Sequence, residues 1–116
     1  MKAALGFEIA HVGINTPDAA ASLNVATSLA DALGMDLKHG NSSNFVGTAV
    51  EVMKKMYLGA NGHIAVRTNN VEIACGYLGE KGLEVDMDTA KYKNGNLTAV
   101  YLKDSFGGFA VHLVRK

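Results

Sequence analysis

The hydrophobic residues of this chain follow two different spacings, and each spacing predicts one kind of element. Apolar and polar residues alternate with a period of two over short stretches rich in Val, Ile and Phe, which is typical of strands with one buried face. Turn residues such as Asn94-Gly95 separate these stretches. Strands are predicted over 7–15, 35–39, 44–46, 49–54, 62–68, 83–86, 90–93, 97–102 and 109–115.

Two other stretches carry apolar residues three and four positions apart, which predicts helices that pack on a sheet. The first helix is expected to have Thr16 as its N-cap and Pro17 at its first position, and to end at Gly34. The second is expected to begin after Asn69 or Asn70. The first half reads β-α-β-β-β, and the second half reads the same with one additional short strand stretch. We interpret this order as β-α-β-β-β twice, which indicates an α+β protein with an internal repeat.

A short sequence pattern supports the repeat. The segment from His11 to Thr16 reads His, apolar, small, apolar, polar, Thr, and the segment from His63 to Thr68 reads the same 52 residues later. A chain of 116 residues is long enough for one domain with a real core. We therefore expect a single domain over 1–116, with module one at about 7–56 and module two at about 62–115.

Strand alternation places four metal-capable side chains on equivalent faces. On each of four predicted strands the apolar neighbours point to one face, and one His or Glu points to the other. A single histidine among apolar residues is most often a hydrogen-bonded structural residue. The matched positions in the two halves favour a joint site instead, whose predicted metal ligands are His11, Glu51, His63 and His112.

Composition narrows the classes of protein and of partner. Eleven basic and eleven acidic residues give no net charge, and the basic residues form no run longer than Lys54-Lys55, so we expect no nucleic-acid or anionic-membrane partner. The single cysteine, Cys75, excludes an internal disulfide and fits a reducing compartment. With no spanning apolar run and no signal-peptide pattern, the expected localisation is cytoplasmic and the expected partner is a small-molecule substrate.

The predicted ligands suit a divalent metal ion, because imidazole and carboxylate together bind Zn, Ni, Co, Mn or Fe(II). The sequence does not select among these metals. Four ligands in a four-coordinate site would close it, whereas a higher coordination number leaves positions for water or substrate. An open metal polarises a carbonyl or enolate oxygen, and Glu51 and His112 are the candidate catalytic residues that would move a proton beside it.

Several segments resemble the vicinal oxygen chelate superfamily and, within it, the glyoxalase I-like proteins. The resemblance covers 9–115 and implies two βαβββ modules that form a cupped mixed sheet around a divalent metal, with the helices on the outer face. In bacterial glyoxalase I the ligand order is His, Glu, His, Glu. The first three ligands match His11, Glu51 and His63, and His112 stands where the last strand normally supplies Glu.

The presence of His112 in place of this Glu puts glyoxalase activity in question, because the last-strand Glu of glyoxalase I is implicated both as a ligand and as the base. The Gly40–Ser43 turn also leaves little loop with which to hold glutathione. Segments 6–15 and 107–114 are similar to a small glyoxalase-like domain that occurs alone or fused to 2-keto-3-deoxy-6-phosphogluconate aldolases in some Firmicutes. The resemblance implies a homodimer, with each site within one chain or shared between two, and a functional link to an aldolase.

Three functions remain open at this point. The first is a metal-dependent lyase or isomerase that acts on a small α-oxo or α-hydroxy carbonyl compound through a metal-stabilised enediolate. The second is a non-catalytic metal or small-molecule binding module that accompanies a sugar-acid aldolase. The third is an extradiol-type Fe(II) dioxygenase, because two histidines and one carboxylate form the facial triad of such enzymes.

Overall fold

Eight strands form one mixed sheet in the computed structural model, which describes residues 2–116 and their side chains from residue 4 onward. The strands alternate with two long helices, so the predicted α+β class is confirmed. The elements are α1 (Lys2–Leu5), β1 (Glu8–Ile14), α2 (Ala19–Leu33), β2 (Leu37–His39), β3 (Ser43–Val46), β4 (Val50–Met53), β5 (Gly62–Thr68), α3 (Val71–Glu80), β6 (Val85–Lys93), β7 (Asn96–Phe106) and β8 (Phe109–Arg115).

The two halves of the sheet have the same internal arrangement. Strand order is β2-β3-β4-β1-β5-β8-β7-β6. Within each half the first and last strands pair in parallel, β1 with β4 and β5 with β8, and the other pairs are antiparallel. The halves meet where β1 pairs antiparallel with β5. Two βαβββ units thus share one cupped sheet, as the fold prediction required, and β1 and β5 lie at its centre.

Both long helices cover the outer face of the sheet. Helix α2 contacts β2, β3 and β4, and helix α3 contacts β7 and β8. Ala26 and Ala30 of α2 share a buried apolar cluster with Val52 of β4, and Val71 of α3 shares another with Leu113 of β8. Because alternate strand residues point to opposite faces, the residues between these core positions face the inside of the cup.

The start of α2 differs from the prediction. Asp18, and not Thr16, is the N-cap, since its carboxylate accepts a hydrogen bond from the backbone N–H of Ala21 at 2.8 Å. Pro17 therefore precedes the cap. The Thr16 hydroxyl instead donates to the carbonyl of Met53 at 2.6 Å, which joins the end of β1 to the end of β4. For α3, the prediction of an Asn cap is confirmed at Asn70.

The second half of the sheet contains longer strands than the pattern predicts. The stretches 83–86 and 90–93 belong to one strand, β6, whose pairing with β7 is interrupted by register shifts between Asp86 and Lys91. Such irregularities break the alternation in the sequence, so one bulged strand gives two separate signals. The short helix α1 was not predicted; its Leu5 is buried in the core under α3. In the described residues no helix has the length and apolar character needed to cross a bilayer.

Candidate metal centre

Three predicted ligands meet on the inner face of the cup. His11 lies on β1, Glu51 on the neighbouring strand β4, and His63 on β5, the neighbour of β1 on its other side. In the pairing register Gly13 of β1 stands between Glu51 and His63, and Ala65 of β5 stands opposite His11. The cluster is therefore built by the central strands of a single chain.

The ligand atoms of this cluster are mutually close. Nε2 of His11 lies 3.2 Å from Nε2 of His63 and 3.2 Å from Oε1 of Glu51, and the distance from Nε2 of His63 to the same Oε1 is 3.3 Å. Metal–ligand bonds of about 2.1 Å place neighbouring ligand atoms about 3.0 to 3.4 Å apart, at octahedral and tetrahedral angles respectively. The three atoms thus fit one divalent ion as they stand.

A β-bulge in β1 places Ile9 and His11 on opposite faces of the sheet. Ile9 and His11 are two positions apart and would share a face in a regular strand. The pairing register shifts between them, so that Ile9 lies opposite Val66 and His11 lies opposite Ala65. Ile9 is consequently on the outer face while His11 enters the cup. Bulges beside functional sites commonly redirect a side chain in this way.

Hydrogen bonds hold Glu51 in its ionised form although the side chain is largely buried. The exposed fraction of the side chain is 15% for Glu51, 25% for His11 and 3% for His63. Hydrogen bonds from His11 and His63, followed by the bond from the Ser43 hydroxyl to Oε2 at 2.7 Å, lower the pKa of the Glu51 carboxyl far below its ordinary value, although burial opposes the shift. The carboxylate is therefore available as a ligand and is a poor proton acceptor.

His63 uses only one of its two ring nitrogens. Nε2 faces Glu51 and His11, whereas Nδ1 is buried and has no hydrogen-bond partner among the described residues. All polar contacts of this nearly inaccessible ring are thus directed at the cluster. Nε2 is thus available as a ligand atom, but among the described residues Nδ1 lacks the hydrogen-bond partner that usually orients a metal-bound imidazole.

The fourth predicted residue, His112, lies beside the cluster. In the described chain the group of ligand atoms within 4.8 Å of one another contains His11, Glu51 and His63. His112 pairs with Ala65 in the register, and its ring centroid is 6.2 Å from that of His63. It therefore shares the inner face with the cluster, and its role as a metal ligand stays a prediction.

His112 is stacked on Tyr101, a residue that sequence reasoning missed. The two rings are parallel, at an interplanar angle of 1° and a centroid distance of 4.1 Å. Burial, followed by the nearby His63, His11 and Lys91, lowers the pKa of His112 to about 4, so the imidazole is neutral at neutral pH. Burial raises the pKa of Tyr101 to about 12, so its phenol stays protonated.

Tyr101 and Ser43 escaped prediction for the same reason. Each reaches the site from a neighbouring strand, Tyr101 opposite His112 and Ser43 two positions from the residue opposite Glu51. Alternation alone indicates which residues share a face within one strand. It does not indicate which residue of the next strand is the partner, because register is set by the turns and by packing.

An apolar cavity lies on the other face of the sheet. It has a volume of about 330 Å³, and none of the predicted ligands or catalytic residues lines it. Its lining includes Leu78 of helix α3 together with Ile64, Val66 and Val111 of the sheet. The candidate catalytic and metal-binding side chains therefore lie on the inner face of the sheet.

Comparison with known proteins identifies the fold. No sequence-family profile and no curated protein matches the chain. Among solved structures, methylmalonyl-CoA epimerase from Mycobacterium tuberculosis is 21% identical with a TM-score of 0.61, covering 92% of this chain and 86% of that one. A hypothetical protein from Bacillus halodurans is 16% identical with a TM-score of 0.65, covering 96% and 95%. The chain has the fold of the methylmalonyl-CoA epimerases.

A further solved structure of this fold contains a bound ligand. It is a methylmalonyl-CoA epimerase in complex with methylmalonyl-CoA and NH4+, 18% identical with a TM-score of 0.60, covering 93% of each chain. These structural neighbours belong to the vicinal oxygen chelate superfamily, so the fold implied by the sequence resemblance is confirmed. At these identities the likeness concerns the fold.

Proposed function

We propose that this protein is a divalent-metal-dependent isomerase or lyase that moves a proton next to a carbonyl group. The observation that carries the proposal is the convergence of Nε2 of His11, Oε1 of Glu51 and Nε2 of His63 within 3.3 Å of one another. His11, Glu51 and His63 would hold a divalent ion, which would supply a Lewis acid for the oxygens of a small α-oxo or α-hydroxy carbonyl compound. Three protein ligands leave coordination positions for those oxygens.

His112 is the better of the two candidate bases. Glu51 accepts hydrogen bonds from three neighbouring side chains, which hold the pKa of its carboxyl low. The His112 ring makes no hydrogen bond within the described part of the chain, is neutral, and lies one strand away from His63. At a pKa of about 4 the imidazole is a weaker base than a free histidine, but it is neutral and lies on the same face. Of the two residues it is therefore the one with a ring nitrogen free to take a proton from a substrate carbon held beside the cluster.

The fold neighbours support this reaction class. Epimerisation of a methylmalonyl thioester requires removal and return of a proton on the carbon next to a carbonyl, which is the same elementary chemistry. The aromatic rings beside the cluster, Phe45 near His11 and Tyr101 near His63, would wall a small substrate from two sides. We propose a small carbonyl substrate with a second oxygen placed to reach the same ion, whether the substrate is free or carried on a thioester.

The proposal is tested first by metal content and then by exchange of the substrate proton. Purified protein should bind about one divalent ion per chain with the three-ligand cluster intact. In heavy water, the metal-loaded protein should exchange the α-proton of small α-hydroxy ketones or methylmalonyl-CoA for deuterium. His112→Gln should abolish the exchange while metal affinity changes little, and failure of the wild type to bind any divalent ion would overturn the proposal.

One observation favours a second candidate, an Fe(II)-dependent dioxygenase. The cluster contains two histidines and one carboxylate without His112, which is the composition of a facial triad that leaves positions open for O₂ and substrate. Consumption of O₂ by the Fe(II)-loaded protein with catechols, in the absence of proton exchange on carbonyl compounds, would select this function.

A non-catalytic role beside a sugar-acid aldolase is a separate prediction from the resemblance, as is the homodimer. Neighbouring genes that encode an aldolase would favour the role of a companion module. Metal binding without proton exchange or oxygen consumption on any tested substrate would do the same. Sedimentation velocity on the metal-loaded protein tests the dimer.

A further inference from the structure

The repeated sequence pattern contains a position that the metal ligands do not explain. In each copy a small residue follows the histidine by two positions, Gly13 after His11 and Ala65 after His63. Two residues apart on a strand, each small residue lies on the same face as the histidine of its own copy. Both therefore lie on the floor of the cup.

The pairing of β1 with β5 sets the histidine of each copy opposite the small residue of the other copy. The cross-strand partner of His63 is Gly13, and the cross-strand partner of His11 is Ala65. Each histidine thus stands opposite the small residue of the other copy, and Gly13 has Glu51 as its partner on the remaining side. Glu51 and His63 therefore flank Gly13 from the two neighbouring strands.

Gly13 leaves no room for a side chain. A Cβ atom built on it would overlap Cε1 and Nδ1 of His63 and would lie 2.6 Å from Nε2 of the same ring. The added atom would clash with the imidazole ring of His63, whose exposed fraction is only 3%. Gly13 is not one of the described glycines with a positive φ, so its backbone conformation is open to any residue. The requirement for glycine here therefore comes from the lack of space for a side chain.

We infer that Gly13 is a positioning residue for the metal centre: the absence of its side chain lets the His63 ring lie against β1 and aim Nε2 at Glu51 and His11. Elsewhere in a strand, replacing Gly by Ala is expected to stabilise the protein, because Gly loses more backbone entropy on folding. At this position the methyl group has to push the ring toward the opening of the cup. The inference concerns packing in the chain itself and does not require the proposed reaction.

The test is a double-mutant cycle on metal-free protein with Gly13→Ala, His63→Ala and both together. Urea unfolding followed by circular dichroism should show a lower midpoint for Gly13→Ala than for the wild type. In the His63→Ala background the added methyl should leave the midpoint unchanged or raise it, because the ring it would meet is gone. Gly76→Ala is the control, since a Cβ atom there meets nothing within 4 Å.

Co²⁺ titration followed by visible absorption gives a second measurement on the same variants. Gly13→Ala should weaken Co²⁺ binding by at least about ten-fold, as expected when a ligand is misoriented, whereas Gly76→Ala should not. If the wild type binds no Co²⁺, the proposed function fails while the unfolding cycle still decides this inference.

Equal midpoint shifts from Gly13→Ala in the two backgrounds would overturn the inference, and so would wild-type Co²⁺ affinity in Gly13→Ala. Should Gly13→Ala not fold, recovery of a cooperative transition in the double variant would support it. Failure of the double variant to fold, alongside a folded His63→Ala, would count against it.

Discussion

Nε2 of His11 lies 3.2 Å from Nε2 of His63, although the two residues are 52 positions apart in the chain. The antiparallel pairing of β1 with β5 brings them together across the boundary between the two halves of the sheet. Oε1 of Glu51 lies within 3.3 Å of both nitrogens. The two halves of the repeat therefore contribute to one centre, and neither half alone contains it.

Glu51→Gln should remove most of the metal affinity. The amide is uncharged and a weaker ligand, so we expect the dissociation constant for Zn²⁺ or Co²⁺ to rise by about 100-fold or more, beyond the 10- to 100-fold typical of outer-shell changes. Competition with a chromophoric chelator measures it. Glu8→Gln is the matched control, because Glu8 is half exposed and pairs with Arg67 away from the cluster. Equal affinities of the two variants would remove Glu51 from the ligand set.

The stability of the metal-free protein should fall in two steps as the pH is lowered. The pKa of His112 is lowered from 6.5 to about 4 in the folded state, so between these values the unfolded state binds more protons and stability decreases with falling pH. The pKa of Glu51 is also lowered, so its contribution is lost only below its ordinary value of 4.5. Urea unfolding between pH 4 and 7 should therefore give a flatter profile for His112→Phe than for the wild type. Parallel profiles would show that His112 is not buried as described.

Tyr101 should fix the orientation of the His112 ring by stacking. Tyr101→Phe keeps the parallel aromatic contact at 4.1 Å, whereas Tyr101→Ala removes it. Aromatic pairs contribute about 0.5–1.5 kcal/mol beyond their buried area. In NMR spectra the His112 ring protons should keep their upfield ring-current shift in the Phe variant and lose it in the Ala variant. Tyr92→Ala, on an exposed part of β6, should leave these signals unchanged.

Ser22→Ala should destabilise the fold through a buried hydrogen-bond chain. The Ser22 hydroxyl donates to the carbonyl of Val52 at 2.7 Å and accepts from Nδ2 of Asn44 at 3.0 Å. Removing the hydroxyl leaves a buried donor and a buried acceptor without their partner, which costs about 1–3 kcal/mol of unfolding free energy. Ser28→Ala, at an exposed position of the same helix, should change it by less than about 0.5 kcal/mol. Similar losses for both variants would contradict this role of the buried chain.

The sequence predicted much of this architecture because its signals are local. Alternation correctly placed Val52 under helix α2 and Glu51 on the other face, and the Asn cap of α3 followed from one side chain. The prediction failed at Thr16, where two neighbouring polar residues were both able to cap and only the path of the chain toward Met53 selected Asp18. It also failed to join the two parts of β6, because a bulge interrupts the alternation.

The sequence by itself determined the α+β class, the repeated order of elements and the face on which each of His11, Glu51, His63 and His112 lies, since these depend on residues a few positions apart. The tertiary structure decided which of them meet. The register of β1 with β4 and β5 collects three ligand atoms over Gly13, while the register of β8 sets His112 beside Tyr101. Register between strands distant in sequence depends on turns, bulges and core packing, so alternation within one strand does not contain it.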